Sequence, residues 1–117
     1  MNKTERIKET LITFYIKLKK LSDLNVYNDG ISLTVDNNYL VPILYDGIVV
    51  FKGDKDDLLN TIIIESDNIT IWYTNVSSNL KLYDNVHKGD YLGEVIGNKL
   101  YLIFKKDGKI VDYKEYI

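Results

Sequence analysis

Few side chains in this chain can do chemistry by themselves. It has no cysteine, one histidine (His87) and one arginine (Arg6), the other fourteen of fifteen basic residues being lysine. Without cysteine there is no disulfide, no thiolate zinc site and no thiol nucleophile. A hydrolytic zinc centre needs about three protein ligands and an open water position. His87, in the turn before Gly89, cannot build one with no cysteine beside it, and it reads as a solvated turn residue. Asp54, Asp56 and Asp57 gather carboxylates, but Lys52 and Lys55 interleave with them and the spacing of a calcium loop is absent. Ser66, Ser77 and Ser78 lack a Gly-x-Ser-x-Gly context, so no nucleophile elbow is indicated. Gly93 and Gly97 flank a strand rather than opening a phosphate-binding helix. A formal charge of −2, a pI near 5.3 and almost no arginine argue against a nucleic-acid surface. These residues point to binding, with no cofactor.

The elements that would carry such a surface are legible from periodicity. Ile7, Leu11, Phe14, Leu18 and Leu21 recur at alternating four- and three-residue steps, which predicts an amphipathic helix over residues 1–23. Asn2 with Glu5 resembles a capping box, and Lys17, Lys19 and Lys20 suit the carboxyl end of the helix dipole. The stripe either docks on the domain core or offers a partner-binding face, including a homo-oligomer contact. From residue 24 to 117 the period becomes that of strands. Ile31–Val35, Tyr39–Tyr45, Ile48–Phe51, Thr61–Glu65, Ile69–Thr74, Tyr91–Ile96 and Leu100–Lys105 are β-branched or aromatic runs, with a short Ile110-Val111 piece after them. Turn formers divide them: Asn28-Asp29-Gly30, Asp36-Asn37-Asn38, Asp46-Gly47, Gly53-Asp54, Asp67-Asn68, Gly97-Asn98 and Asp107-Gly108. Pro42 marks an edge or irregular position, since it cannot donate to a ladder. The expected fold is mainly β, an antiparallel rolled sheet or β-sandwich behind one helix. The most apolar stretch, Leu11 to Ile16, is too short to span a bilayer, and no secretory signal is visible.

One phrase has a familiar shape. Leu82-Tyr83-Asp84-Asn85-Val86-His87-Lys88-Gly89-Asp90-Tyr91-Leu92-Gly93 places a turn glycine between two short strands whose apolar residues point inward. It resembles a phrase used by biotinyl/lipoyl carrier domains and by lysostaphin-type (LytM) metallopeptidase domains, the duplicated hybrid motif fold. The surroundings resemble the second. Asn28-Asp29-Gly30-Ile31-Ser32 stands where that family has His-x-Gly-Ile-Asp, and Asp46-Gly47-Ile48-Val49 where it has Asp-Gly-x-Val. Asn60 to Glu65 and Ile69 to Val76 look like its next two strands. Lys99-Leu100-Tyr101 falls at its His-x-His, and Gly108 to Tyr116 looks like its usual ending. The likeness runs in order over residues 28–117.

The resemblance implies a scaffold without its chemistry. In active members of the family, zinc is held at the positions matched here by Asn28, Ser32 and Tyr101, and two further catalytic histidines are matched by Asn75 and Lys99. None of the five keeps the required side chain. The implied protein is a degenerate, metal-free LytM-like domain, as stage IV sporulation protein FA is, acting as a non-catalytic interaction or scaffold module of the cell envelope or of a sporulation complex. Its candidate groove is lined by Asn28, Ser32, Trp72, Asn75, Lys99 and Tyr101, and its candidate helix interface by Ile7, Leu11, Phe14, Leu18 and Leu21. The alternatives are a peptidoglycan-binding module, a carrier domain with Lys109 in the Asp107-Gly108 hairpin, or an unrelated small β protein of a mobile element. The family resemblance implies an extracytoplasmic, bacterial setting, and the Lys-, Asn-, Ile- and Tyr-rich composition fits an AT-rich genome.

Overall fold

The structure is a computed structural model that describes Ile12, Phe14, residues 25–27 and residues 30–116. Two antiparallel sheets enclose the core. The larger follows the strand order β1 (Asn25–Tyr27), β2 (Gly30–Thr34), β10 (Lys99–Lys106), β6 (Ile69–Thr74), β5 (Leu58–Ser66), β4 (Gly47–Lys55), β8 (Asn85–Val86), with β11 (Lys109–Ile110) also pairing with β10. The smaller sheet is β3 (Leu40–Pro42), β9 (Tyr91–Val95) and β7 (Val76–Ser77). A 3-10 turn, Tyr113–Tyr116, follows.

The sequence explains why the central strands can sit between two covered faces. β5, β6 and β10 carry unbroken buried runs, Thr61–Ile64, Ile71–Thr74 and Leu102–Phe104, rather than the alternation of a sheet with one wet face. On the inner face Leu33, Leu100, Leu102, Tyr73, Ile71, Ile62, Ile64 and Val49 pack with Val41, Ile43, Leu44, Leu92 and Val95 in one core cluster. Tyr73 is fully buried there, its hydroxyl accepting the Leu44 N–H at 3.1 Å, so its one polar atom is satisfied. Phe104 stacks on Tyr116 at 6.0 Å, which pins the carboxyl-terminal turn to the same core.

Most of the expected strands are present, with differences that have local causes. The Gly53-Asp54 turn is not there. β4 continues through it to Lys55, with a register shift between Gly53 and Lys55 that marks a bulge, and Gly53 has φ 144°. The chain reverses instead at Asp56-Asp57, whose φ values of 52° and 66° are those of a two-residue I′ hairpin. The run Tyr39–Tyr45 pairs over only Leu40–Pro42, and the register shifts between Val41 and Pro42. Pro42 thus sits at the irregular edge position expected of it. Two short strands, β1 and β7, have no counterpart in the expected set, whereas β8 is the short strand expected before the turn glycine Gly89. Gly89, φ 87°, turns the chain between β8 and β9, and that left-handed conformation favours glycine.

Of the amino-terminal stripe, Ile7, Leu11, Leu18 and Leu21 lie outside the described residues. Phe14 is fully buried in the main core, with its ring 6.2 Å from that of Tyr39, so this position belongs to the core and is not open to a partner.

Candidate functional site

The outer face of the large sheet is where the candidate residues fall. Directly paired residues of antiparallel strands point to the same side, so the register defines rows across this face. Ser32 pairs with Tyr101, Tyr101 with Thr74, and Thr74 with Thr61. Four hydroxyl residues therefore stand side by side on four adjacent strands. Thr61 and Thr74 are buried and share a hydrogen bond of 2.9 Å, while Ser32 is buried and Tyr101 half-buried. The next row is apolar: Ile103 opposite Trp72, Trp72 opposite Ile63, and Ile63 opposite Phe51. Leu58, Ile63, Trp72 and Ile103 form a second core cluster with Phe51 packed against it.

Two lysines cover that row. Lys105 Nζ lies 3.9 Å from the Trp72 ring centroid, and Lys55 Nζ lies 5.4 Å from Trp72 and 5.1 Å from Phe51. Trp72 is consequently only 7% exposed, and its Nε1–H donates to Thr70 Oγ1 at 3.2 Å. Lys99 stands at the far end of β10, opposite Thr34, and its ammonium donates to the Thr34 hydroxyl.

Asn75 does something different from lining a groove. Its φ of 73° ends β6 in the left-handed region, which asparagine tolerates better than most residues. Its side-chain amide then donates to Ile96 O and Lys99 O, both at 2.7 Å, and its own carbonyl accepts the Ile96 N–H at 2.9 Å. Its side chain is thus a brace between β6 and the β9–β10 turn. Beside it a cleft of about 200 Å³ opens, lined by Gly53, Asn60, Thr61, Val76, Ser77 and Ile96.

Of the six groove residues expected, Ser32, Trp72, Lys99 and Tyr101 share this face, Asn75 is turned into the brace, and Asn28 lies outside the described residues. Thr61, Thr74, Lys55 and Lys105 were not expected there. The signal for Thr74 and Lys105 was present in the sequence: Thr70-x-Trp72-x-Thr74 and Lys99-x-Tyr101-x-Ile103-x-Lys105 are period-two series. Thr61 and Lys55 required knowledge of which strands pair.

Elsewhere, an open depression of about 570 Å³ is lined by residues including Asp46, Glu65, Asp67 and His87. His87 Nδ1 is 3.9 Å from Asp46 Oδ1, with both side chains about three-quarters exposed, so the pair is a weak surface contact. Among the described residues no group of three or more His, Cys, Asp or Glu side chains is placed to hold a metal ion, and no helix is long and apolar enough to cross a membrane.

Neither a protein-family profile nor a curated protein matches the chain. Solved structures do. Csd3 of Helicobacter pylori superposes with a TM-score of 0.70 at 24% identity, covering 75% of this chain and 26% of that one. The chain therefore spans about a quarter of Csd3. The catalytic domain of lysostaphin, the antimicrobial peptidase of Staphylococcus simulans, gives a TM-score of 0.67 at 20% identity, with 76% of this chain and 80% of that one covered. The catalytic domain of the prophage-encoded M23 protein EnpA of Enterococcus faecalis gives 0.65 at 23%, with 79% and 82% covered. These likenesses set aside an unrelated β fold, and nothing in them singles out stage IV sporulation protein FA. The two-sheet architecture of this chain is the fold of lysostaphin-type M23 peptidases.

Proposed function

We propose that the chain is a non-catalytic interaction module built on a peptidase fold, which holds a protein partner. The observation that carries this reading is a pair of residues. Ser32 and Tyr101 stand directly opposite each other on β2 and β10, at the positions where the family resemblance puts two metal-binding side chains. A seryl hydroxyl and a phenol are poor ligands for a hydrolytic zinc ion, which is held by imidazole, thiolate or carboxylate. The other two described positions are equally altered, since Asn75 braces a turn and Lys99 brings a positive charge. The rows around them retain tight cross-strand packing.

The structurally similar proteins include an antimicrobial peptidase and an M23 protein of a prophage. That kinship supports seeking the partner in the bacterial cell envelope, as a protein that the module tethers or restrains, including one of a sporulation complex. The direct test dialyses the chain against a chelator, adds zinc, removes the excess and counts the metal retained. The same sample is then incubated with a glycine-containing cross-bridge peptide and followed by mass spectrometry. The expected result is less than one zinc per chain and an intact peptide. One zinc per chain together with cleavage at glycine would contradict the proposal.

A further inference from the structure

Beside the covered row of Trp72 runs an open one. Ile110 pairs with Lys105, Lys105 with Thr70, Thr70 with Glu65 and Glu65 with Ile48, on β11, β10, β6, β5 and β4. Residues paired in this way point to the same side, and the row spans about 19 Å at the usual spacing of strands. Ile110 and Ile48 are 41% and 42% exposed, Glu65 is exposed, and Thr70 and Lys105 are half-buried. The order is self-complementary. With Thr70 at the centre, a lysine stands on one side and a glutamate on the other, and an isoleucine lies beyond each.

A second copy, turned about a two-fold axis that runs along β6 over Thr70, sets Lys105 against Glu65, Glu65 against Lys105, and Ile110 against Ile48. Two ion pairs and two apolar contacts follow from one rotation, as in an isologous interface. The Lys105 ammonium is already held 3.9 Å from the Trp72 ring centroid, so it has less freedom to lose on meeting a carboxylate. The same rotation brings opposite ends of the row together. Next to Ile110, the exposed hairpin Lys106-Asp107-Gly108-Lys109 carries two lysines against one aspartate. Next to Ile48 lies the depression of about 570 Å³ lined by residues including Asp46, Glu65 and Asp67. Going beyond the interaction reading above, we propose that this row joins a second copy of the chain, with the hairpin of each copy over the acidic depression of the other. Charge complementarity selects this occupant. The strip is small beside the interface of a permanent dimer, so the association is a concentration-dependent equilibrium.

Sedimentation equilibrium of the full chain, from micromolar to millimolar concentration, tests this. The weight-average mass is expected to rise from 13.6 kDa toward twice that value. The rise should shrink when salt is raised from about 50 to about 500 mM. The variants E65K and K105E each set like charges together, and each is expected to weaken self-association at least about tenfold. Mixed in equal amounts, the two variants are complementary at both ion pairs, and the mixture is expected to associate as the parent does. That rescue requires both variants to be folded, so it separates lost charge from lost fold, and the parent's concentration and salt series stand without either variant. A parent chain that stays monomeric throughout would overturn the proposal and leave the face to a different protein, with the interaction reading intact. Self-association unchanged in both variants, or a mixture that associates no better than its parts, would equally overturn it.

Discussion

Tyr39 shows how one residue can be both needed and poorly satisfied. Its ring packs near Phe14 and against the main core, but its hydroxyl is buried with no hydrogen-bond partner among the described residues. Burial, and then the negative charge of Asp36, push its pKa from 10.0 up to about 12. A raised pKa means that the folded state favours the neutral phenol. The resulting contribution to stability is complete below pH 10 and is lost as the pH climbs through about 12. Replacing Tyr39 with Phe removes the unsatisfied hydroxyl and keeps the ring, so a stabilisation of about 1 kcal/mol is expected near neutral pH. Across the window from 10.0 to about 12 the Tyr39→Phe protein should lose less stability than the parent. Urea unfolding midpoints of the two proteins, compared below and within that window, check both statements. A variant less stable than the parent at neutral pH would show that the hydroxyl has a partner after all.

Asn75 acts between elements. It receives no strand pairing on the path from β6 to β7, yet it links the end of β6 to the β9–β10 turn through Ile96 and Lys99. Its N–H is shared by Leu59 O and Asn60 O, at 3.2 and 3.1 Å, which ties in the β4–β5 side as well. An Asn75→Ala substitution loses the two amide hydrogen bonds and puts a Cβ without compensation in the left-handed region. A destabilisation of about 2–3 kcal/mol is expected from these two effects. Asn75→Gly keeps the backbone freedom and loses only the amide, so about 1 kcal/mol less is expected. Chemical denaturation of the pair separates backbone from brace, and equal costs would mean that the left-handed backbone contributes nothing and the lost amide carries the whole effect. The sequence made Asn75 look like a groove residue because its position in line suggested it. Period two puts Thr74 on that face and Asn75 off it, and a backbone at positive φ then aims the amide sideways.

For the whole molecule, what was legible in the sequence is what local pattern controls. Long β-branched runs, Asn- and Gly-bearing turns and the edge position of Pro42 all follow from neighbours in sequence. β7, two residues, and β1, three residues, exist because β9 and β2 lie beside them. No periodicity marks so short a strand. The false turn at Gly53-Asp54 has the same origin, since a bulge and a turn use the same residues and only the partner strand distinguishes them. At the site, Ser32, Trp72, Lys99 and Tyr101 were identifiable one strand at a time. The hydroxyl row and the lysines over Trp72 arise from register across four strands, which spans residues far apart in the chain.

The central claim is the proposal that the M23 peptidase fold is kept here without its metal ligands, since Asn28, Ser32 and Tyr101 are the residues that match the family's metal-binding positions in sequence. The most direct measurement is a zinc titration by calorimetry of the parent chain beside the variant N28H/S32D/Y101H, with circular dichroism confirming the fold of each. Three nitrogen and oxygen ligands are the usual complement of a catalytic zinc site. The account predicts no stoichiometric zinc for the parent and one zinc per chain for the variant. Zinc bound by the parent as tightly as by the variant, or a folded variant that takes up none, would contradict it.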